Sequence, residues 1–333
     1  MKKKYASLIL VPYLLATLII TSYAKEYTIT TPYEYPITPF MDEWKNFESH
    51  IEMIDACQIP ENILKNLSTA ALAETVANYP LLTDMLAWSD TSLGYQNLVS
   101  NFNGLEELLS RENGLDYLLT TSPMLCSQND LEDKDNFIDR NKIRCITLIM
   151  NNASNSSIAS TYSTPNIETG DIKTPKKKLL IPYYKDLDFV DLNNLFSGVP
   201  FTQNEFDDLE RSYALNYPNA TKIGPISPSY NCHSYAWYST SSNNRYWITD
   251  IGNYLADGSY ENIANADASS GDVMIYWLNR ISYNHSARVE SYRNNHSYVT
   301  SKWAFMGVYS HRDDYCPYYS NSRDFFTCSY TRN

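Results

Sequence analysis

Hydrophobic spacing changes kind partway along this chain, and that change constrains the fold more than any single motif. Before residue 150 the apolar residues recur three and four apart. Trp44, Phe47, Ile51 and Ile54 share such a face, which predicts a helix. Pro60 opens a second run through Ile63, Leu64 and Leu67, the position where proline is best tolerated in a helix. An Ala- and Leu-rich stretch from Ser68 to Met85 is interrupted by Pro80. Asn101 to Leu119 reads as another helical run, with Leu105, Leu108 and Leu109 on one face and Gly104 and Gly114 as punctuation, and Asp139 to Met150 predicts a last one. After residue 179 short runs replace this spacing: residues 271–277, 286–289, 298–303 and 307–309 read as strands separated by turn residues. Between the two regions, residues 151–178 are rich in Ser, Thr, Asn, Pro and Lys and keep no period, which predicts a linker. The expectation is an α+β protein: an all-helical region over 25–150, a linker over 151–178, and a helix-plus-antiparallel-sheet domain over 179–333.

Residues 1–24 read as a secretory signal peptide. Lys2, Lys3 and Lys4 form the basic region, an apolar stretch runs from Ala6 to Ile20, and Ser22 and Ala24 are small residues at a cleavage site. The apolar stretch is short for a span and carries Pro12, so no stable membrane insertion is expected after cleavage. The expected location is outside the cell, in contact with the cell wall. Acidic side chains number 38 against 26 basic ones, and cleavage removes three of the lysines. That balance argues against nucleic acid as a partner, because phosphate contacts need clustered Lys and Arg. The run Lys176-Lys177-Lys178 is read as solvated. The 29 tyrosines, beside many Asn and Ser, suit a polar recognition surface as well as a compositional habit.

Six cysteines, Cys57, Cys126, Cys145, Cys232, Cys316 and Cys328, form an even set in a chain read as exported, which suggests disulfides. Cys316 and Cys328 lie close in an aromatic, polar tail and are candidates for a bridge. If Cys232 is a nucleophile, one other cysteine is left over.

The chemistry-bearing residues gather around Cys232, since His233, His285, His296 and His311 all follow position 230. Adjacent Cys232 and His233 suit joint chelation poorly, and no C-x-x-C or H-x-x-x-H pair exists, so neither a metal nor another cofactor is expected. A nucleophilic cysteine needs a lowered thiol pKa, which a helix start favours. The turn-like residues 227–231 followed by a helix from His233 would put Cys232 there. A histidine must take its proton, and His285, placed after a loop at the start of a strand run, can reach a helix end. A disulfide or an inert buried thiol is the competing reading of Cys232, and an ordinary strand histidine that of His285. His233 reads as a surface or packing residue, His296 as an exposed turn residue, and Asp272 as structural. Trp237, Trp277 and Trp303 read as core.

Three motifs stand in order: Cys232-His233-Ser234-Tyr235-Ala236-Trp237, Gly271-Asp272-Val273-Met274-Ile275-Tyr276 and His285-Ser286-Ala287-Arg288-Val289. Together they resemble the signature of papain-like cell-wall hydrolases, the CHAP amidases and NlpC-type peptidases, over residues 225–311. The resemblance implies a papain-like domain, a nucleophile helix packed on a small antiparallel sheet. It implies Cys232 as nucleophile and His285 as base, acting on amide bonds of peptidoglycan or of other small peptides. The family's third residue falls nearest Ser301, with His311 or Asn295 as alternatives, and Tyr230 or Asn231 would help form the oxyanion site. The whole chain is also similar to secreted bacterial proteins of unknown role that carry segments like Ser301-Lys302-Trp303 and Cys316-Pro317-Tyr318.

Two function classes follow. One is an exported cysteine amidase or peptidase, which a transferase would share up to the acyl-enzyme. The other is a secreted binding protein with the same fold and no turnover, favoured by the weak third residue and the Tyr-rich surface. The sequon Asn284-His285-Ser286 would place a glycan beside the base, so the enzyme reading needs a host, such as a bacterium, that does not glycosylate it.

Overall fold

The computed structural model describes residues 27–121, 137–159, 185–186, 203–280, 282–304 and 306–333. The expected signal peptide, Cys126 and residues 160–178 of the expected linker lie outside these. Among the described residues no helix is long and apolar enough to cross a membrane.

The first half is helical. A 3-10 turn, Asp42–Asn46, precedes α1 (His50–Ala56), so the face expected from Trp44 to Ile54 is not one helix. Ser49 breaks it: extended there, it caps α1 by accepting from Glu52 N at 3.3 Å. Trp44 still reaches the core, with its indole N–H donating to Asn216 O at 2.8 Å. Next come α2 (Glu61–Leu64), begun by Pro60, and α3 (Thr69–Ala77), capped by Ser68. Pro80 ends that run, and a buried 3-10 segment, Leu82–Ala87, follows. Asp90 caps α4 (Thr91–Asn101). Gly94 lets α4 approach this segment, since a Cβ there would lie 2.5 Å from Met85 O. The single run expected over Asn101–Leu119 divides into α5 (Asn103–Ser110) and α6 (Gly114–Thr121), with a turn over residues 111–113 between them.

α7 (Phe137–Ala159) extends nine residues past the boundary expected at 150. The apolar period fades there, but Asn152 and Ser154 bond back to the carbonyls of Leu148 and Met150, each at 2.8 Å, and so fit the helix. α8 (Gln203–Asn216) also departs from the expected division. Although it belongs to the second half in sequence, it packs on the helices: Arg144 pairs with Glu205 at 2.7 Å and Tyr213 OH donates to Thr83 O at 2.9 Å.

Strands β1 (Lys185–Asp186) and β3 (Tyr246–Trp247) form a small ribbon. The main sheet contains β2 (Thr221–Gly224), β4 (Tyr260–Ile263), β5 (Val273–Asn279), β6 (Ser282–Arg293), β7 (His296–Lys302), β8 (Val308–Arg312) and β9 (Phe326–Arg332). It is antiparallel throughout, in the order β2-β8-β7-β6-β5-β9-β4. Asn294 and Asn295, at φ 53° and 64°, make the two-residue turn between β6 and β7, a conformation asparagine tolerates. The four expected strand runs are β5 to β8. β9 falls on the tail expected to hold a disulfide. There Cys328 pairs across the ladder with Ile275, while Cys316 lies in a buried loop beside Asp313 O, and both carry free thiols.

Side chains alternate across the sheet. Met274, Tyr276, Ala287, Val289, Val299 and Tyr309 share a core with the helices of the first half. Val273 and Ile275, on the other face, pack with Ala236, Trp237, Ile248 and Ile251. A buried polar knot ties helices, sheet and tail together. His50 Nε2 lies 3.0 Å from Asp84 Oδ2, Tyr217 OH donates to the same oxygen at 2.6 Å, and His50 Nδ1 lies 2.6 Å from Tyr319 O. Asp84→Ala strips the Tyr217 hydroxyl and His50 Nε2 of their partner inside the core, and should cost about 3–5 kcal/mol, read as a lowered urea midpoint at neutral pH.

Candidate functional site

Cys232 begins a short buried helix ending at Tyr238, most of it π-helical, with Ser239 N bonded to Ser234 O at 3.0 Å. Asn231 creates its start. Its Oδ1 accepts from Ser234 N at 3.0 Å and Ile248 N at 3.2 Å, and its Nδ2 donates to Ile248 O at 2.7 Å. The amide expected to help an oxyanion is therefore committed to capping the helix and clamping the 248 loop. Tyr230, the other oxyanion candidate, is buried and stacked on Tyr235 at 6.5 Å between ring centroids.

Backbone N–H groups of Ser286 and His233 lie near the Cys232 sulfur without completing a hydrogen bond to it. The Ser89 hydroxyl lies beside it without completing a well-aligned hydrogen bond. These groups favour the thiolate, but burial outweighs them and pushes the thiol up to about 11. At neutral pH the thiol is protonated and only 1% exposed.

His285 sits inside β6, opposite Tyr276, rather than at the start of the strand. Alternation sends Ser286 to the Cys232 helix: its hydroxyl meets His233 Nδ1 at 2.8 Å and accepts from Trp237 Nε1 at 3.0 Å. His285 faces the helical half instead. Its ring stacks on Tyr318 at 3.6 Å and 8°, with Tyr276 edge-on at 5.2 Å. Neither ring nitrogen has a hydrogen-bond partner, so no bond links it to Cys232. Burial, then His311 and His233 nearby, hold its pKa well below the ordinary histidine range.

Ser301 and His311, both candidates for the third residue, bond to each other. His311 Nδ1 donates to Arg312 O at 2.8 Å, which leaves Nε2 to accept the Ser301 hydroxyl at 2.7 Å. Trp303 Nε1 donates to Ser301 Oγ at 3.1 Å. Neither orients His285. Asn295, the remaining alternative, is an exposed turn residue. Asn284 is buried, so the folded chain has no room for a glycan there and the sequon does not bear on the source. Asp272 accepts from Ser269 N at 2.8 Å and holds the turn before β5, a structural role.

Two features escaped the sequence. Lys302 is fully buried, its ammonium donating to the carbonyls of Ser227 at 2.8 Å, Ala304 at 2.7 Å and Met306, and lying 5.0 Å from the Tyr230 ring centre. It fixes the approach to the Cys232 helix, and Ala304 adopts φ 46° to present its carbonyl. Nothing in a lone Lys within a strand signals this. His296, Asp313 and Asp314 bring possible metal-ligand atoms within 4.8 Å of one another. Their acceptors are occupied: Arg312 grips Asp314 at 2.5 and 2.9 Å, and Asp313 takes the N–H groups of Ser297 and Asp314. His296, expected to be exposed, is half-buried against Asp313 at 3.1 Å.

Two surface cavities, of 240 and 280 Å³, lie elsewhere: neither is lined by Cys232, His285, Ser301 or His311. No known protein family matches the sequence, and no curated protein matches it either.

Burial holds His233 and His311 down to about 4, against an ordinary value of 6.5. A depressed folded pKa favours the neutral ring, so this stability is present above pH 6.5 and is lost as pH falls towards 4, up to about 3 kcal/mol for each histidine. Urea midpoints should drop across that window. His311→Gln should shallow the drop.

Proposed function

We propose that this chain is an exported cysteine-dependent amidase or peptidase of the papain-like kind, in a closed state. The observation that carries the reading is the buried Cys232 at the first turn of a short helix packed against the sheet, with backbone N–H groups of Ser286 and His233 near its sulfur. A helix packed against an antiparallel sheet, with the three ordered motifs on it, supports the same reading. In the reaction, the Cys232 sulfur attacks an amide carbonyl carbon and His285 passes the thiol proton to the departing amine. Water, deprotonated through His285, then cleaves the thioester, releasing the acid and restoring the thiol. No cofactor is required. Peptidoglycan peptides fit the proposed exported location.

The second reading, a secreted binding protein, is favoured by one observation: both His285 nitrogens lack a partner while Ser301 is spent on His311. Digestion of purified peptidoglycan with the mature chain, read by mass spectrometry beside Cys232→Ala, separates the two. The enzyme predicts amide-cleaved fragments from wild type and at least a thousandfold fewer from the variant. Identical digests from wild type, from Cys232→Ala and from Tyr318→Ala, which removes the ring stacked on His285, remove cell-wall hydrolysis and favour the binder.

A further inference from the structure

The helical half and the tail meet on the two candidate catalytic residues. The bend at residues 87–89, between the buried 3-10 segment and α4, places the Ser89 hydroxyl beside the Cys232 sulfur. Two residues earlier, Ala87 O accepts the Tyr318 hydroxyl, and the Trp88 ring lies 5.6 Å from that of Tyr318. Tyr318 belongs to the segment between β8 and β9, and its ring covers the His285 imidazole. That segment is held down at both sides of Tyr318. His50 N donates to Asp314 O at 2.8 Å, His50 Nδ1 lies 2.6 Å from Tyr319 O, and Arg312 donates to Glu48 O at 2.6 Å.

The unpartnered His285 nitrogens give this packing a direction. Two buried nitrogens without hydrogen bonds cost free energy that ordinary core packing avoids. A leucine would fill the gap beneath Tyr318 at no such cost. An imidazole there is explained by a second arrangement, in which Tyr318 has left and His285 finds partners.

We propose that the Tyr318 strap and the 87–89 bend form an autoinhibitory clamp that closes the Cys232–His285 site, with the helical half as its anchor. The closure stands on the contacts alone; its role as inhibition rests on the hydrolase reading. In the clamped state the thiol and imidazole are sealed from substrate. Displacing Tyr318 uncovers both.

The test is the alkylation rate of each cysteine in the full mature chain, using iodoacetamide and peptide mass spectrometry. In wild type, Cys232 should react as slowly as the buried Cys57 and Cys145, and more slowly than the half-buried Cys328. Tyr318→Ala should speed Cys232 at least tenfold while Cys57 and Cys145 stay unchanged. Tyr318→Phe keeps the ring but loses the bond to Ala87, and should speed Cys232 about threefold; it carries the test if the alanine variant fails to fold. The clamp is overturned if wild-type Cys232 reacts as fast as Cys328, if neither variant speeds it, or if all buried thiols speed up together. Peptidoglycan digestion by Tyr318→Ala, with and without Cys232→Ala, then separates the two ideas. Cleavage that needs Cys232 supports both, whereas faster alkylation with no cleavage keeps the closure and removes the hydrolase.

Discussion

A single buried carboxylate organises the packing of the two halves. Asp84 sits in the 3-10 segment after α3, where one of its oxygens meets both His50 on α1 and Tyr217 just beyond α8. His50 in turn reaches the tail at Tyr319 O. Both ring nitrogens of His50 thus face oxygens, one of Asp84 and one of Tyr319. A buried pair of this kind adds little net stability against an apolar replacement, but it fixes geometry, because every misplacement strands a charge. The 87–89 bend, which lies against Cys232, is the direct continuation of that segment. The surroundings of Cys232 therefore depend on a contact that Asp84 makes five residues before Ser89.

What the sequence revealed and what it hid follow from where each face points. β5 to β8 were readable because short apolar runs are separated by turn residues such as Asn294 and Asn295. β9 was not, because Phe326, Thr327 and Cys328 are only partly covered and Arg332 is exposed. β6 hid its orientation for the opposite reason: residues 284 to 287 are all buried, so covered faces on both sides erase the alternation. The order Cys232, Gly271-Asp272, His285 was visible, but the face that His285 presents was not. Moving one position along a strand reverses the face, and only the partner strands fix the register. The division near residue 150 also failed locally. Asn and Ser in α7 look like linker until their back-bonding is seen, and α8 joins the helices through Tyr213 and Glu205, contacts made far along the chain.

Ser301 and His311, both candidates for the third residue, meet an unexpected use. The polar groups near the expected third position are present and bonded, but to one another. The tautomer of His311 is set by Arg312 O, so its other nitrogen accepts, and the serine proton is the natural donor. Such a pair satisfies two buried polar groups, which core packing requires, and it leaves His285 without an orienting partner.

The groups around the thiol also couple access to reactivity. For Cys232 the dominant influence is burial, which raises the pKa, while the N–H groups of Ser286 and His233 lower it. For His285 burial again dominates and lowers the pKa. Admitting water weakens the largest influence on each group and leaves the backbone N–H groups in place. The thiol then falls and the imidazole rises, so their proton affinities converge as the site opens. Convergence is what proton transfer between them needs. The proposed opening would therefore bring the two proton affinities together as well as expose the thiol, and the burial that keeps the thiol protonated protects it from oxidation, which proceeds through the exposed thiolate.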